Sequence, residues 1–315
     1  MTTERTTSPE HAAVWIRRGE VVAFPTETVY GLGADAFQSD AVQKIFEAKG
    51  RPSDNPLIVH VADRAQVAEV AASVPEPARR LMQAFFPGPL TLILPKHPRV
   101  PDVVTAGLDT VGVRMPRHPI AQAFLAACST PVAAPSANRS GRPSPTTWEA
   151  VAADLDGRIP CILQGGRTPT GLESTVVDVT QTPPVVLRPG SVPLEALQEI
   201  VPDGRMADTA EDQTARSPGT QHRHYAPTAR VRCVRRAAEA VPEASAAYIG
   251  TESPPDPSSF GLVHVAPSVE AYAREVFHFF RTADDRDCRT IYAQVVGEEG
   301  LGRALNDRLR RAEAR

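Results

Sequence analysis

Cysteine is scarce and scattered in this sequence. Four occur in 315 residues (Cys128, Cys161, Cys233 and Cys288), and no two of them form a CxxC pair. That spacing argues against a zinc ribbon or a disulfide framework and fits a reducing cytosol. A basic half is missing as well. The net charge is −3, and from Arg230 onward 13 basic residues face 13 acidic ones. A dedicated nucleic-acid binder usually carries a concentrated basic domain, so that class is disfavoured, although a local basic cleft stays compatible. No run reaches 18 apolar residues, so no membrane-spanning helix is expected. The opening MTTERTTSPEHAAVW lacks the basic-then-apolar order of a signal peptide, and a cytoplasmic protein is expected. HExxH, GxxxxGK[ST] and a Ser-His-Asp order are all absent. His222 and His224 stand two apart without a third ligand, so no protein-held metal site is expected.

What is present reads as an ordinary globular chain, 42% hydrophobic and 23% charged, long enough for about two domains. Its 31 prolines sit largely beside strand-like runs and predict many sharp turns. Ser8-Pro9 and Gly19 bracket a first short helix, followed by a Val21–Phe24 strand. A second helix over Asp40–Ala48, capped by Ser39, leads to a Leu57–Val61 strand. Helices follow around Arg64–Ala72 and Pro75–Phe85. Further strands are read at Leu90–Leu94, Val111–Met115, Val132–Ala134, Cys161–Leu163, Thr175–Val179 and Val185–Leu187, with helices near Ile120–Cys128 and Thr147–Leu155. Strands outnumber helices, so the α/β fold expected over 1–202 is α+β-like: a strongly twisted mixed sheet with flanking helices. Around 203–229 the pattern dissolves into polar, aperiodic chain and reads as a linker or lid. The order strand, strand, strand, helix, strand, helix over 230–315 predicts a smaller Rossmann-like α/β domain. No GxGxxG follows its strands, so no nucleotide is assigned to it.

Three stretches concentrate polar chemistry where chain leaves or enters a strand. Phe24-Pro25-Thr26-Glu27-Thr28-Val29-Tyr30-Gly31-Leu32-Gly33 places hydroxyls, a carboxylate and two glycines in what reads as a tight turn. Lys49-Gly50-Arg51-Pro52-Ser53-Asp54-Asn55-Pro56 holds two cations on proline-stiffened chain, which suits a polyanion such as triphosphate, or equally a helix end facing its own dipole. Ala133-Ala134-Pro135-Ser136-Ala137-Asn138-Arg139-Ser140-Gly141-Arg142 brings hydroxyl, amide and guanidinium groups to a strand end, or is simply a solvated loop. Thr110-Val111-Gly112-Val113-Arg114 and Leu187-Arg188-Pro189-Gly190 each set an arginine beside a strand.

In their order and spacing, FPTETVYGLG, KGRPSDNPLIVH, VGVRMP, APSAN and LRPG closely resemble the YrdC-like family. With SPGTQHRHYAP and the trailing α/β segment, the chain resembles its two-domain form. The resemblance covers nearly the whole chain, densely over the first 200 residues. It implies a nucleotidyltransferase that makes threonylcarbamoyl-AMP (L-threonylcarbamoyladenylate) and pyrophosphate from L-threonine, bicarbonate or CO2, and ATP. A partner transferase complex would then modify tRNA beside the anticodon; direct tRNA contact stays open. Lys49, Arg51, Ser136 and Asn138 match the family's catalytic tetrad. The resemblance places Thr28, His60, Arg114, Ser136 and Ser174 around threonine. It places Arg51, Asn55, Thr110, Ala134, Ser144, Arg188 and Tyr225 around ATP, with Mg2+ held mainly by the phosphates. Two rival readings are a double-stranded RNA-binding maturation factor and a carbamoyl-adenylate module of hydrogenase maturation. The charge balance weighs against the first. The second would bring cysteine-rich zinc motifs, which are absent.

Overall fold

The computed structural model describes residues 2–207 and 226–314. Tyr225 and most of the 203–229 segment read as linker or lid lie outside the described residues.

The first sheet has eleven short strands. Their order is β1 (Glu4–Thr6), β8 (Cys161–Leu163), β2 (Val22–Phe24), β3 (Gly31–Asp35), β7 (Val132–Ala134), β4 (Ile58–His60), β6 (Thr110–Arg114), β5 (Leu90–Pro95), β9 (Thr175–Asp178), β10 (Val185–Arg188) and β11 (Arg205–Met206). The sheet is mixed: β4 runs parallel to β6 but antiparallel to β7, and β2 is parallel to β8 but antiparallel to β3. Helices α1 (Pro9–Arg17), α2 (Ser39–Lys49), α3 (Val67–Val70), α4 (Glu76–Phe85), α5 (Asp102–Thr105), α6 (Pro119–Cys128), α7 (Trp148–Leu155) and α8 (Leu194–Ile200) flank it.

Local chemistry explains several of these boundaries. Ser8 accepts a hydrogen bond from the His11 amide and Pro9 opens α1, as the sequence predicts. For α2 the cap falls on Gln38, which makes no side-chain cap bond. Asp35 turns the chain there instead, accepting from the Phe37 amide and from the Gln38 side chain. The turn read at FPTETVYGLG is followed at once by β3. Its glycines are strand residues squeezed between β2 and β7, where Phe24 and Val132 occupy the space above Gly33. β1 is a short, polar edge strand paired with β8, without the apolar alternation that marks a strand in sequence.

Side-chain alternation gives the sheet two unlike faces. One is covered by α2, α4 and α7 over a large core that includes Ala23, Leu32, Val59, Val113 and Ala133. On the other, α1 and α6 cover Val22, Phe24, Val132 and Leu163. Beyond them, over β4, β6 and the start of β9, no helix among the described residues covers the sheet, and a cleft forms there.

The second sheet is fully parallel, in the order β12 (Arg230–Val234), β15 (Thr290–Gln294), β13 (Ala246–Gly250), β14 (Leu262–Val265). Helices α9 (Val269–Asp285) and α10 (Gly302–Glu313) pack against it. Tyr272, Ala273, Val276, Phe277 and Phe280 form the buried stripe of α9, the helical spacing visible in the sequence. Two residues from the first unit, Val29 and Leu172, belong to this second core.

Candidate active site

The cleft follows from register. β4 and β6 pair His60 with Arg114, and β4 and β7 pair Ile58 with Ala134, so these side chains share one face. The same parity brings Thr91, Ser174 and Arg188 onto that face from β5 and the chain around β9 and β10. The cleft encloses about 660 Å³ including its open mouth, and it is lined by Thr26, Val29, Arg51, Ile58, His60, Arg114, Ala134, Ser136, Asn138, Arg142, Ser144, Glu173, Ser174 and Arg188, among others. Four arginines line it, and the one carboxylate among the described lining residues is Glu173. The lining is therefore built for anions.

Each polar side chain is held from behind. α2 ends on Gly50 at φ 60°, a left-handed turn that places Lys49 and Arg51 on either side of it. Lys49 is buried and donates to the carbonyls of Ser136 and Asn138. Burial first, and the nearby Arg51 charge second, hold its ammonium well below the ordinary lysine range. Arg51 donates to the Asn55 carbonyl at 3.1 Å, so the loop between them folds back on itself. The hydroxyl of Ser136 donates to the side-chain oxygen of Asn138. The Asn138 amide bridges the Arg139 and Arg142 carbonyls at 2.8 and 2.9 Å. Ser174 pairs with Thr91 at 2.8 Å and receives Arg188, whose guanidinium also reaches the Ser174 carbonyl at 3.0 and 3.2 Å.

Arg114 is 4% exposed and lies 2.9 Å from the Glu27 carboxylate. The pair is close but misaligned. Among the described residues, neither Glu27 oxygen nor the Arg114 Nε and Nη2 atoms make a hydrogen bond. A buried guanidinium with unused donors beside a cleft is suited to receive a carboxylate. His60 stands next to it, edge-on to Phe24 at 5.8 Å between centroids. Burial, and then the Arg114 charge, push its imidazole down to about 3, so it is neutral at physiological pH.

Of the residues expected from the sequence, Arg51, His60, Arg114, Ala134, Ser136, Asn138, Ser144, Ser174 and Arg188 line the cleft together. Lys49, Thr28 and Asn55 are buried one layer behind. Thr28 bonds the Thr26 hydroxyl at 2.8 Å, and Asn55 receives Arg51 through its carbonyl. Thr110 shares the face of Arg114 but sits about 13 Å further along β6, given the strand rise. Thr26 and Val29 of the first motif also line the cleft, without a role read from the sequence, and so does Glu173, which lies outside every motif. Their signal was weak, since Glu173 lies in a loop with no patterned neighbour. Glu27 was quoted in its motif, but no role was read for it.

Comparison with known proteins gives the chain's family. A family model of the Sua5, YciO and YrdC proteins, described as telomere recombination, matches residues 14–190. A second, described as threonylcarbamoyl-AMP synthase, C-terminal domain, matches 192–314. The chain belongs to the threonylcarbamoyl-AMP synthase family. A threonylcarbamoyl-AMP synthase of Pyrococcus abyssi (strain GE5 / Orsay) is 46% identical over 314 residues, covering 96% of this chain and 92% of the relative. One from Bacillus subtilis (strain 168) is 43% identical over 316 residues, covering 96% and 91%. The crystal structure of P. abyssi Sua5 complexed with L-threonine superposes with a TM-score of 0.91 at 43% identity, covering 99% of this chain and 98% of that one. A member of this family is a nucleotidyltransferase-type enzyme that uses ATP. Its fold is a mixed sheet carrying the cleft, joined to a second, parallel sheet.

Proposed function

We propose that this chain condenses L-threonine, bicarbonate or CO2, and ATP into threonylcarbamoyl-AMP and pyrophosphate. The observation that carries the reading is Arg114, a buried arginine with unused donors on an otherwise cationic cleft. In this reading Arg114 receives the threonine carboxylate, while neutral His60, Ser136, Ser174 and the backing Thr28 surround the rest of the amino acid. Ile58 and Ala134 give its methyl group an apolar wall, so serine binds less well. The threonine amine adds to CO2, or to bicarbonate with loss of water, and forms a carbamate. A carbamate oxygen then attacks the α-phosphorus of ATP, and pyrophosphate leaves.

Nothing in this scheme needs a covalent enzyme intermediate. Lys49, Arg51 and Arg188 would offset charge on the phosphates, and Ser136 and Asn138 would fix the reacting groups in place. Asn55, Ala134, Ser144 and Thr110 complete the ATP assignment, together with Tyr225. The lining carboxylate Glu173 is already engaged by Ser144 and Arg308, a donor set that fits Mg2+ carried by the phosphates. Such an ion would supply further charge neutralisation. The product is a reactive mixed anhydride, so a downstream transferase complex that modifies tRNA is its natural acceptor. A cytoplasmic location accords with that partner. No helix among the described residues is long and apolar enough to cross a membrane.

The test is pyrophosphate release from ATP with threonine and bicarbonate each supplied or withheld. Release that requires both is expected. Equal release without any amino acid would defeat the reading.

A further inference from the structure

The second unit does more than sit beside the first. Gly171 (φ 81°) packs so tightly on α9 that a Cβ there would lie 2.5 Å from the Arg274 Cα. Leu172, the next residue, is fully buried in the second unit's core. Glu173 and Ser174 follow immediately and line the cleft. The chain that delivers two cleft residues is thus seated on the other unit.

At this seat a side chain from α10 enters the first unit. Arg308 is completely buried. Its Nε donates to Glu173 Oε2 at 2.7 Å, and its Nη2 donates to the Pro189 carbonyl at 3.1 Å. Its Nη1 contacts Asp307, which in turn holds Arg311 at 3.0 Å. The other Glu173 oxygen accepts the Ser144 hydroxyl at 2.6 Å. With its proton committed to Glu173, Ser144 presents only lone pairs to the cleft, so it accepts from a ligand donor such as a ribose hydroxyl. Pro189 directly follows Arg188. One guanidinium therefore fixes both Ser144, through Glu173, and the turn that aims Arg188.

We propose that Arg308, from the second unit, is a positioning residue for the nucleotide half of the cleft. This rests on the reading that Ser144 and Arg188 face ATP. Stability alone does not account for the residue, because a buried ion pair is often no more stabilising than an apolar pair of equal volume. A planar fork does account for it, since lysine cannot reach a carboxylate and a carbonyl with two rigidly spaced donors. The threonine half has its own anchor. Arg114 belongs to β6, and Ser174, although it also receives Arg188, is held by Thr91 on β5.

The experiment uses the full chain. Arg308→Lys, and the double variant Arg308→Met with Glu173→Gln, are compared with the unchanged protein for the KM of ATP, threonine affinity and thermal midpoint. The expected result is a KM for ATP raised about tenfold in both, the scale of one lost charge-assisted hydrogen bond, with threonine affinity within about twofold. The double variant, which leaves no buried unpaired charge, should recover thermal stability but not the KM. An unchanged KM for ATP, or equal losses for both ligands, overturns the proposal. If neither variant folds, Arg308 is a folding residue and the proposal fails. Failure of the underlying reading looks different: the unchanged protein would itself show no ATP use.

Discussion

At the scale of single residues, the cleft separates two kinds of arginine. Arg51 follows a helix end and is steadied by its own loop, whereas Arg114 ends a central strand with Glu27 beside it. Arg51→Ala is expected to weaken ATP use more than threonine binding, by roughly 1.5–3 kcal/mol, the worth of a hydrogen bond to a charged group. Arg114→Ala is expected to do the reverse. Titrating both variants with both ligands checks this; equal losses in all four titrations would mean the roles are misassigned. His60 gives a pH signature. Its folded value of about 3 lies below the ordinary 6.5, so between those values the unfolded chain binds the extra proton. Its contribution to stability is complete above pH 6.5 and is lost as pH falls toward 3, by up to about 1.4 kcal/mol per pH unit. Denaturant unfolding at pH 4.5 and 7 should show a smaller acid loss in His60→Gln than in the unchanged protein. An equal acid loss would assign the effect to other groups.

At the scale of elements, strands and loops rather than helices carry the cleft, and loops are fastened to one another. Tyr30 shows how. Its amide donates to the Pro145 carbonyl, its own carbonyl accepts from the Ala137 amide, and its hydroxyl donates to the Gly165 carbonyl at 2.9 Å. One residue of the first motif thereby locks two other loops, the first of them at two points. The segment carrying Gly171 is fastened to a helix instead. Any side chain at Gly171 meets α9 backbone, which cannot yield, and strains a left-handed φ as well. Gly171→Val should therefore destabilise the fold by on the order of 2–3 kcal/mol, strain and overpacking together. A thermal midpoint equal to that of the unchanged protein would show that the segment has room to move. The sequence marked the 49–56 and 133–142 loops through their prolines and cations, whereas in 167–174 only Ser174 was marked, and that through the family resemblance. That segment's conformation comes from a helix about a hundred positions later in the chain.

At the scale of the whole molecule, two units meet through buried charge as well as apolar contact. Arg281 on α9 grips Asp154 at 2.8 and 3.2 Å, and Arg142 reaches the same carboxylate from the cleft side at 2.7 Å. Arg167 pairs with Glu275 at 2.9 Å. Composition already indicated two cores, and helical or alternating periodicity located most of their elements, because burial of a stripe or a face leaves its period in the local sequence. The order of the five motifs was likewise legible, and with it the family and the anionic character of the ligand. Periodicity has no access to contacts between distant positions. The strand order of the mixed sheet, the sharing of one face by His60, Arg114 and Ser174, the pairing of Glu27 with Arg114, and the reach of Arg308 to Glu173 over 135 positions were decided only by tertiary packing. Each depends on which strands become neighbours, and that is set by the burial of whole faces rather than by any local run of residues.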